Sequence, residues 1–351
     1  MIFCGDIALP YKGSIQVNIP DDLKNKVWFG NLEGSLVEQG QSFLHEHKVY
    51  NDCAAIGELC KQIHFSGFGI ANNHLLDAAN VSETIYNLDN LSKPYVGAGR
   101  NLKDAQRGIT VTDEQNVEYL ILCFGWNAIN CKYATPTSEG VNPYIKENVI
   151  NLVYEVLNTY PDKKIICFFH WNYELEQYPQ PFDRELSYCL IDKGIYAVIG
   201  CHSHRVQGVE MYKGHPIVYG MGNFLFLQGV FCKGKLRFPA FVGEEMAIEL
   251  TDDKQVLIHW FRYDNLNKEL SYVATEELSK SQRIKKLTPF ETITLQEYPR
   301  WFLKHRFHRK KLLPVFNYED SKCIVEVKCK YIIIRHKFVV ILKEIINFFA
   351  K

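Results

Sequence analysis

A layered α/β fold is what the sequence predicts, and three features predict it. Short apolar runs end in polar clusters: IFCGD, VWFGNLEG, HFSGFGIANNH, YLILCFGWN, KIICFFHWN, YAVIGCHSH and PIVYGMGNF. Helix-like stretches alternate with these runs, which is the rhythm of a sheet covered by helices. Each polar cluster falls at the carboxyl end of a run, the edge where ligands gather in open α/β sheets.

In chain order, MIFCGDIAL opens as a strand from Met1, and the continuous apolar runs after it read as strands buried on both faces. CAAIGELCKQI (53–63), VSETIYNLDNL (81–91), KENVINLVYEVLN (146–158) and RELSYCLIDKG (184–194) space apolar residues near the helical period. Gly194 stands where a helix C-cap glycine would. After residue 240 the texture changes. EEMAIELTDDKQVLIHWFRYD reads as a hairpin turning at Asp252-Asp253-Lys254. The expected division is a body over 1–250 and, over 251–351, the hairpin's remainder with a small basic C-terminal extension.

The 351 residues are 47% hydrophobic and 23% charged, which excludes a disordered chain. Forty basic residues balance forty acidic ones, so total charge names no partner. The distribution is uneven: residues 300–351 hold 13 Lys/Arg against 4 Asp/Glu, leaving 27 against 36 elsewhere. Eleven scattered cysteines without a CxxC pair suit buried free thiols in a reducing compartment. The strand-like start leaves no room for a signal peptide, and no apolar run is long enough to span a bilayer. A cytoplasmic location is expected.

Five clusters supply metal-binding atoms: Asp6, Glu33, Asn72-Asn73-His74, His170, and His202 with His204. Singly, each has an ordinary explanation as a turn, cap or core residue. Together they follow strands and so converge on one sheet edge. Two carboxylates, an amide oxygen and three imidazoles suit a pair of divalent ions such as Zn²⁺, Mn²⁺ or Fe²⁺. His202 and His204, two residues apart, share one side if the chain is extended, with Ser203 turned away.

At these residues the chain resembles a known family. GDI, NLEG, ANNHLLD, PYVGAGRNLKDA, HWNYELEQYPQP, GCHSHRVQG and VYGMGNFLF follow the order and spacing of the CapA-type poly-gamma-glutamate capsule biosynthesis family, which looks like a branch of the calcineurin-like metallophosphoesterases. The resemblance runs from about residue 2 to 250 and implies a four-layer α-β-β-α sandwich. It implies Asp6 and His204 on a first metal, Asn73, His170 and His202 on a second, and Glu33 bridging. His74 would be the general acid, oriented by Asp77 if the segment between them is helical. Asn72, Glu174, Tyr178, Arg205 and Asn223 look like positions on the substrate side or behind the ligands.

Three departures bear on the site. Ala8 stands where the superfamily usually has a histidine, Cys201 where the branch often has one, and HWN replaces HWG, placing the Asn172 side chain where it would narrow the site. Cys201 reads as packing before it reads as a ligand. The implied activity is metal-dependent hydrolysis of a phosphoester in making a capsule or other surface polymer. The rival is a metal-stabilised factor that binds a polyanionic polymer or lipid-linked glycan without turnover.

In the tail, Ile334, Phe338, Ile341, Leu342, Ile345 and Phe349 fall on one helix face, with Arg335, Lys337 and Lys343 elsewhere. Packing on the body is the first expectation. Peripheral contact of residues 330–351 with the inner face of a membrane is the second. WFLKHRFHRKK has no accompanying nucleic-acid motif, and no nucleic-acid partner is expected.

Overall fold

Two β-sheets packed face to face form the centre of the computed structural model. It describes the chain except residues 14, 40–42, 44, 45, 252–254, 350 and 351 and the side chains of 340–349. The first sheet has nine strands. In spatial order they are Gln16–Asn18, Glu269–Glu277, Val256–Asp264, Glu244–Leu250, Ile2–Ala8, Trp28–Leu32, Phe65–Gly69 and Tyr95–Val96, with Asn223–Phe226 also on Ile2–Ala8. The second has six: Val209–Tyr212, His215–Val218, Ala197–Cys201, Lys164–His170, Glu118–Gly125 and Ile109–Thr112. Phe3 and Phe29 of the first sheet meet Phe168 of the second, with centroids 6.5 and 5.5 Å apart, which fixes the inner faces.

The helices are the crossovers between parallel strands and therefore lie on the outer faces. Cys53–Gln62 joins Trp28–Leu32 to Phe65–Gly69, and Val81–Asn90 leads on to Tyr95–Val96. Lys146–Thr159 and Pro181–Asp192 do the same for the central strands of the second sheet. All four follow the predicted stretches, and the result is the α-β-β-α sandwich. Their ends obey local chemistry. Asp52 accepts from the Ala54 and Ala55 amides at 3.0 and 3.1 Å, and Asn80 caps Glu83 at 2.8 Å. Gly194 takes φ +109° after Pro181–Asp192, and Ile195 N–H returns to Leu190 O at 3.1 Å.

The central strand is forked. Its first half pairs antiparallel with Glu244–Leu250, and from Asp6 onward it pairs parallel with Asn223–Phe226 across an irregularity. Gly5 permits this, since a Cβ there would stand 1.9 Å from Gly222 O. Asp6 accordingly lies inside the strand, not after it.

The boundary expected at residue 250 does not separate two bodies. Glu244–Leu250 continues into Val256–Asp264 and Glu269–Glu277 of the same sheet, although the DDK turn at 252–254 lies outside the described residues. Downstream, Phe290, Tyr298, Phe302 and Phe316 join the single hydrophobic core. The helix Lys322–Phe349 then packs on the body through Val325, Cys329 and Ile332. That is not the expected face: its members among the described side chains, Ile334 and Phe338, are 67% and 62% exposed. The side chains of Ile341, Leu342, Lys343, Ile345 and Phe349 lie outside the described residues.

Candidate metal centre

Six of the expected ligands meet at the carboxyl edge of the two sheets. Glu33 directly follows Trp28–Leu32, His170 ends Lys164–His170, and His202 follows Ala197–Cys201. Asn73 and His74 sit in the turn beyond Phe65–Gly69. Their donor atoms form two overlapping groups, Asp6/Glu33/His204 and Glu33/His170/His202, each with all atoms within 4.8 Å of one another. Glu33 belongs to both, and every member is buried. Asn73 Oδ1 adds an amide oxygen 2.8 Å from His170 Nε2, which lies 3.1 Å from His202 Nδ1.

Two residues in the second histidine pair take left-handed backbone: His202 has φ +85° and His204 φ +52°. The extended chain expected there is therefore absent. The rings converge, with centroids 5.6 Å apart, because the loop turns sharply after the strand. Such conformations cost of order 1–3 kcal/mol each and concentrate at functional sites. Gly200 and Gly34 supply the room. A Cβ on Gly200 would meet Trp171 Nε1 at 2.2 Å, and Gly34 takes φ +101° just after Glu33.

The electrostatics are those of a cation site. Neither Glu33 carboxylate oxygen has a hydrogen-bond partner among the described residues, although both are fully buried. Burial and the nearby Asp6 push the Glu33 carboxyl well above its usual range. Burial works against ionising Asp6 too, but His204, His170 and Asn31 outweigh it and hold the Asp6 carboxyl down. Burial lowers His170 to about 3 and takes His202 well below its ordinary value. Burial opposes charge on His204 as well, but Glu33 and Asp6 prevail and raise it to about 10. A buried carboxyl with no hydrogen-bond donor on either oxygen, beside the neutral His170 and His202 rings and 3.7 Å from His204 Nε2, offers a donor set suited to divalent cations. The donor set fits a metal pair.

Around the ligands, His74 Nδ1 lies 2.8 Å from Asp77 Oδ2, and its Nε2 lies 3.9 Å from Glu33 Oε1. The pairing arises in a turn closed by Asp77 N–H to His74 O at 3.0 Å, not in a helix. Asn223 Oδ1 lies 2.9 Å from His204 Nδ1, behind that ring. Cys201 donates to Phe169 O at 3.3 Å and stands 3.2 Å from His170 Nδ1. Burial drives its thiol pKa well up, and its Sγ forms a third buried group with Asp6 and His170, donor atoms within 4.8 Å of one another.

Two expected substrate-side residues are spent elsewhere. Asn72 accepts from the Gly34 and His74 amides at 3.0 and 3.2 Å and donates to Leu32 O at 2.8 Å, bracing the Glu33 turn. Tyr178 is buried against Phe290 and Trp301. Glu174 is exposed near the site, and Arg205 stacks over Phe241 at 4.7 Å with its Nε unpartnered. Asn172 does not narrow the site. It takes φ +66° and ties down its own loop through Tyr178 O and Tyr173 N.

Other contributors were not expected. Asn31 donates to Asp6 Oδ1 at 2.8 Å, and Asn51 donates to Glu33 O at 2.9 Å. A polar Asn31 within an otherwise apolar strand was the available signal. Glu176, in the loop after His170, grips Arg306 at 2.9 Å and receives Phe307 N–H at 2.7 Å. No local pattern announces that long-range pair.

The family model described as "Bacterial capsule synthesis protein PGA_cap" matches residues 21–228. The capsule biosynthesis protein CapA of Bacillus anthracis is 30% identical over 216 residues, covering 59% of this chain and 52% of that protein. The PGA biosynthesis protein CapA of Bacillus subtilis is 28% identical over 176 residues, covering 49% and 45%. The chain thus spans about half the length of the curated relatives it matches. Among solved structures, NAD nucleotidase of Haemophilus influenzae aligns over 72% of this chain and 40% of its own, at 12% identity and a TM-score of 0.36. With more than half of its residues matched by one family model, and every quoted motif but GDI at residues 5–7 inside the match, the chain belongs to the bacterial capsule synthesis PGA_cap family.

Proposed function

We propose that this protein is a metal-dependent hydrolase of the phosphoesterase class that acts in synthesis of a bacterial capsule or other surface polymer. The buried Glu33 carboxylate, without a hydrogen-bond donor on either oxygen and shared by both ligand groups, is the observation that carries this reading. Asp6, Glu33 and His204 would hold one divalent ion, and Glu33, Asn73, His170 and His202 the other, with Mn²⁺, Zn²⁺ or Fe²⁺ all suited to the donors. Bound there, such ions supply Lewis-acid activation of water and of the phosphoester. His74 would give a proton from Nε2 to the leaving oxygen while Asp77 holds Nδ1. Arg205 supplies positive charge at the rim for an anionic polymer precursor. The role in polymer synthesis draws on the relatives, whose names refer to capsule and PGA biosynthesis.

The experiment is metal analysis of the purified full chain, followed by assay on phosphomonoesters and phosphodiesters with and without Mn²⁺. Two bound equivalents and metal-dependent turnover are expected. Stoichiometric metal without turnover on any ester would leave a binding factor for a polyanionic polymer or lipid-linked glycan. Failure to take up any divalent ion would sink both readings.

A further inference from the structure

The helix Lys322–Phe349 carries a second surface that the metal centre does not use. Ile324, Val327, Tyr331, Ile334 and Phe338 recur at alternating spacings of three and four, so they keep to one narrow sector of the helix. All five are exposed, by 46, 61, 47, 67 and 62%. The reverse side is anchored: Val325, Cys329 and Ile332 pack on the body, and Lys328 Nζ donates to Val315 O at 2.7 Å. The helix is thereby fixed in rotation with its apolar stripe outward. Leu312, itself 73% exposed, adjoins the stripe through its carbonyl, which accepts from Tyr331 at 3.2 Å. Arg335 borders the stripe on one side, and Lys330 and Lys337 border it on the other.

We propose that this face docks on an anionic lipid bilayer, with the helix lying in the headgroup interface. No helix among the described residues is long and apolar enough to cross a membrane. The three-four spacing is also that of a coiled-coil seam, which makes a second copy of the chain the competing occupant. Charge decides between them. Beside the seam stand Lys330, Arg335 and Lys337, while Lys328 is held by Asp320, so two copies would set cation against cation in either orientation. Anionic headgroups complement the same residues, and the stripe gains by burial in the acyl boundary. This inference stands apart from the hydrolase reading, because it needs no metal.

The test is co-sedimentation of the full chain with vesicles of phosphatidylcholine alone, or of two parts phosphatidylcholine to one part phosphatidylglycerol. Binding to the anionic vesicles is expected to exceed binding to the neutral ones by at least about tenfold and to weaken with salt. Lys330→Gln with Lys337→Gln lowers it roughly 25-fold, at about fivefold per basic residue. Ile334→Ser with Phe338→Ser abolishes it and leaves the thermal unfolding midpoint unchanged, since both side chains already face water. Three results would overturn the proposal: no sedimentation with either vesicle, a dimer in light scattering that Phe338→Ser dissociates, or capture of soluble polyglutamate that Phe338→Ser does not affect.

Discussion

Glu33 concentrates the chemistry of the site in one side chain. Two buried oxygens without donors make it a poor residue for the metal-free protein and a good one for cations. Ligand binding to the folded state alone stabilises by about 2.7 kcal/mol at a hundredfold excess over Kd. Mn²⁺ at that excess should therefore raise the calorimetric Tm of the native sequence, and Glu33→Gln should erase most of the rise. His74 sits differently, at the rim and held by Asp77. His74→Ala is expected to keep the metal content and to cut turnover by roughly 10²–10⁴-fold; unchanged turnover would remove His74 from the reaction. Glu33, His170 and His202 could be marked in the sequence because they close apolar strands, whereas Asp6 lies inside one and stood out only in company with the rest. Of the two roles its motif offered Asn72, its hydrogen bonds to Gly34, His74 and Leu32 favour the one behind the ligands.

Strands and helices were the most legible part of the chain, because periodicity and caps are local. The turns that aim the ligands were less so, since they depend on left-handed backbone and on close approaches between distant strands. Two glycines separate these effects. At Gly194, φ is +109° and an added Cβ meets only Leu157 Cδ2 at 3.5 Å, so Gly194→Ala should cost about 1 kcal/mol in urea unfolding. At Gly200 the same methyl collides with the Trp171 ring and with Tyr219 O at 2.3 Å. Gly200→Ala should cost about 3 kcal/mol or more and disturb His202, two residues on. On Glu244–Leu250, burial disfavours the Glu249 carboxylate, but His259 at 3.0 Å and Lys26 at 2.5 Å outweigh it. The result is a pKa lowered from 4.5 to about 2. Its stabilisation is full above about pH 4.5 and disappears as the pH falls to about 2. The stability gap between the native sequence and Glu249→Gln should shrink across that window; a constant gap would count against the assignment.

The whole chain closes on itself through contacts that no short segment reveals. Arg306 and Glu176 form a buried pair across 130 positions of sequence, tying the C-terminal segment to the loop after His170. Arg306→Met leaves Glu176 buried without a counter-charge, its remaining donors being the Phe307 and Gln177 amides, which should cost about 3–5 kcal/mol and expose residues beyond 277 to protease. Pairing it with Glu176→Gln should restore much of the loss. The boundary read near residue 250 missed this tie because charge and texture change there while the sheet does not. The forked first strand carries a further consequence for biogenesis. Asp6 is synthesised early, and Trp28–Leu32 soon covers one of its flanks, yet the other is closed by Asn223–Phe226, made more than two hundred residues later. A ribosome-held chain stopped before residue 223 would lack the strand that completes the wall beside Asp6. Any cation held there would therefore be taken up after that late strand is in place, so the cell's metal supply would act on the assembled sandwich and not on a nascent chain.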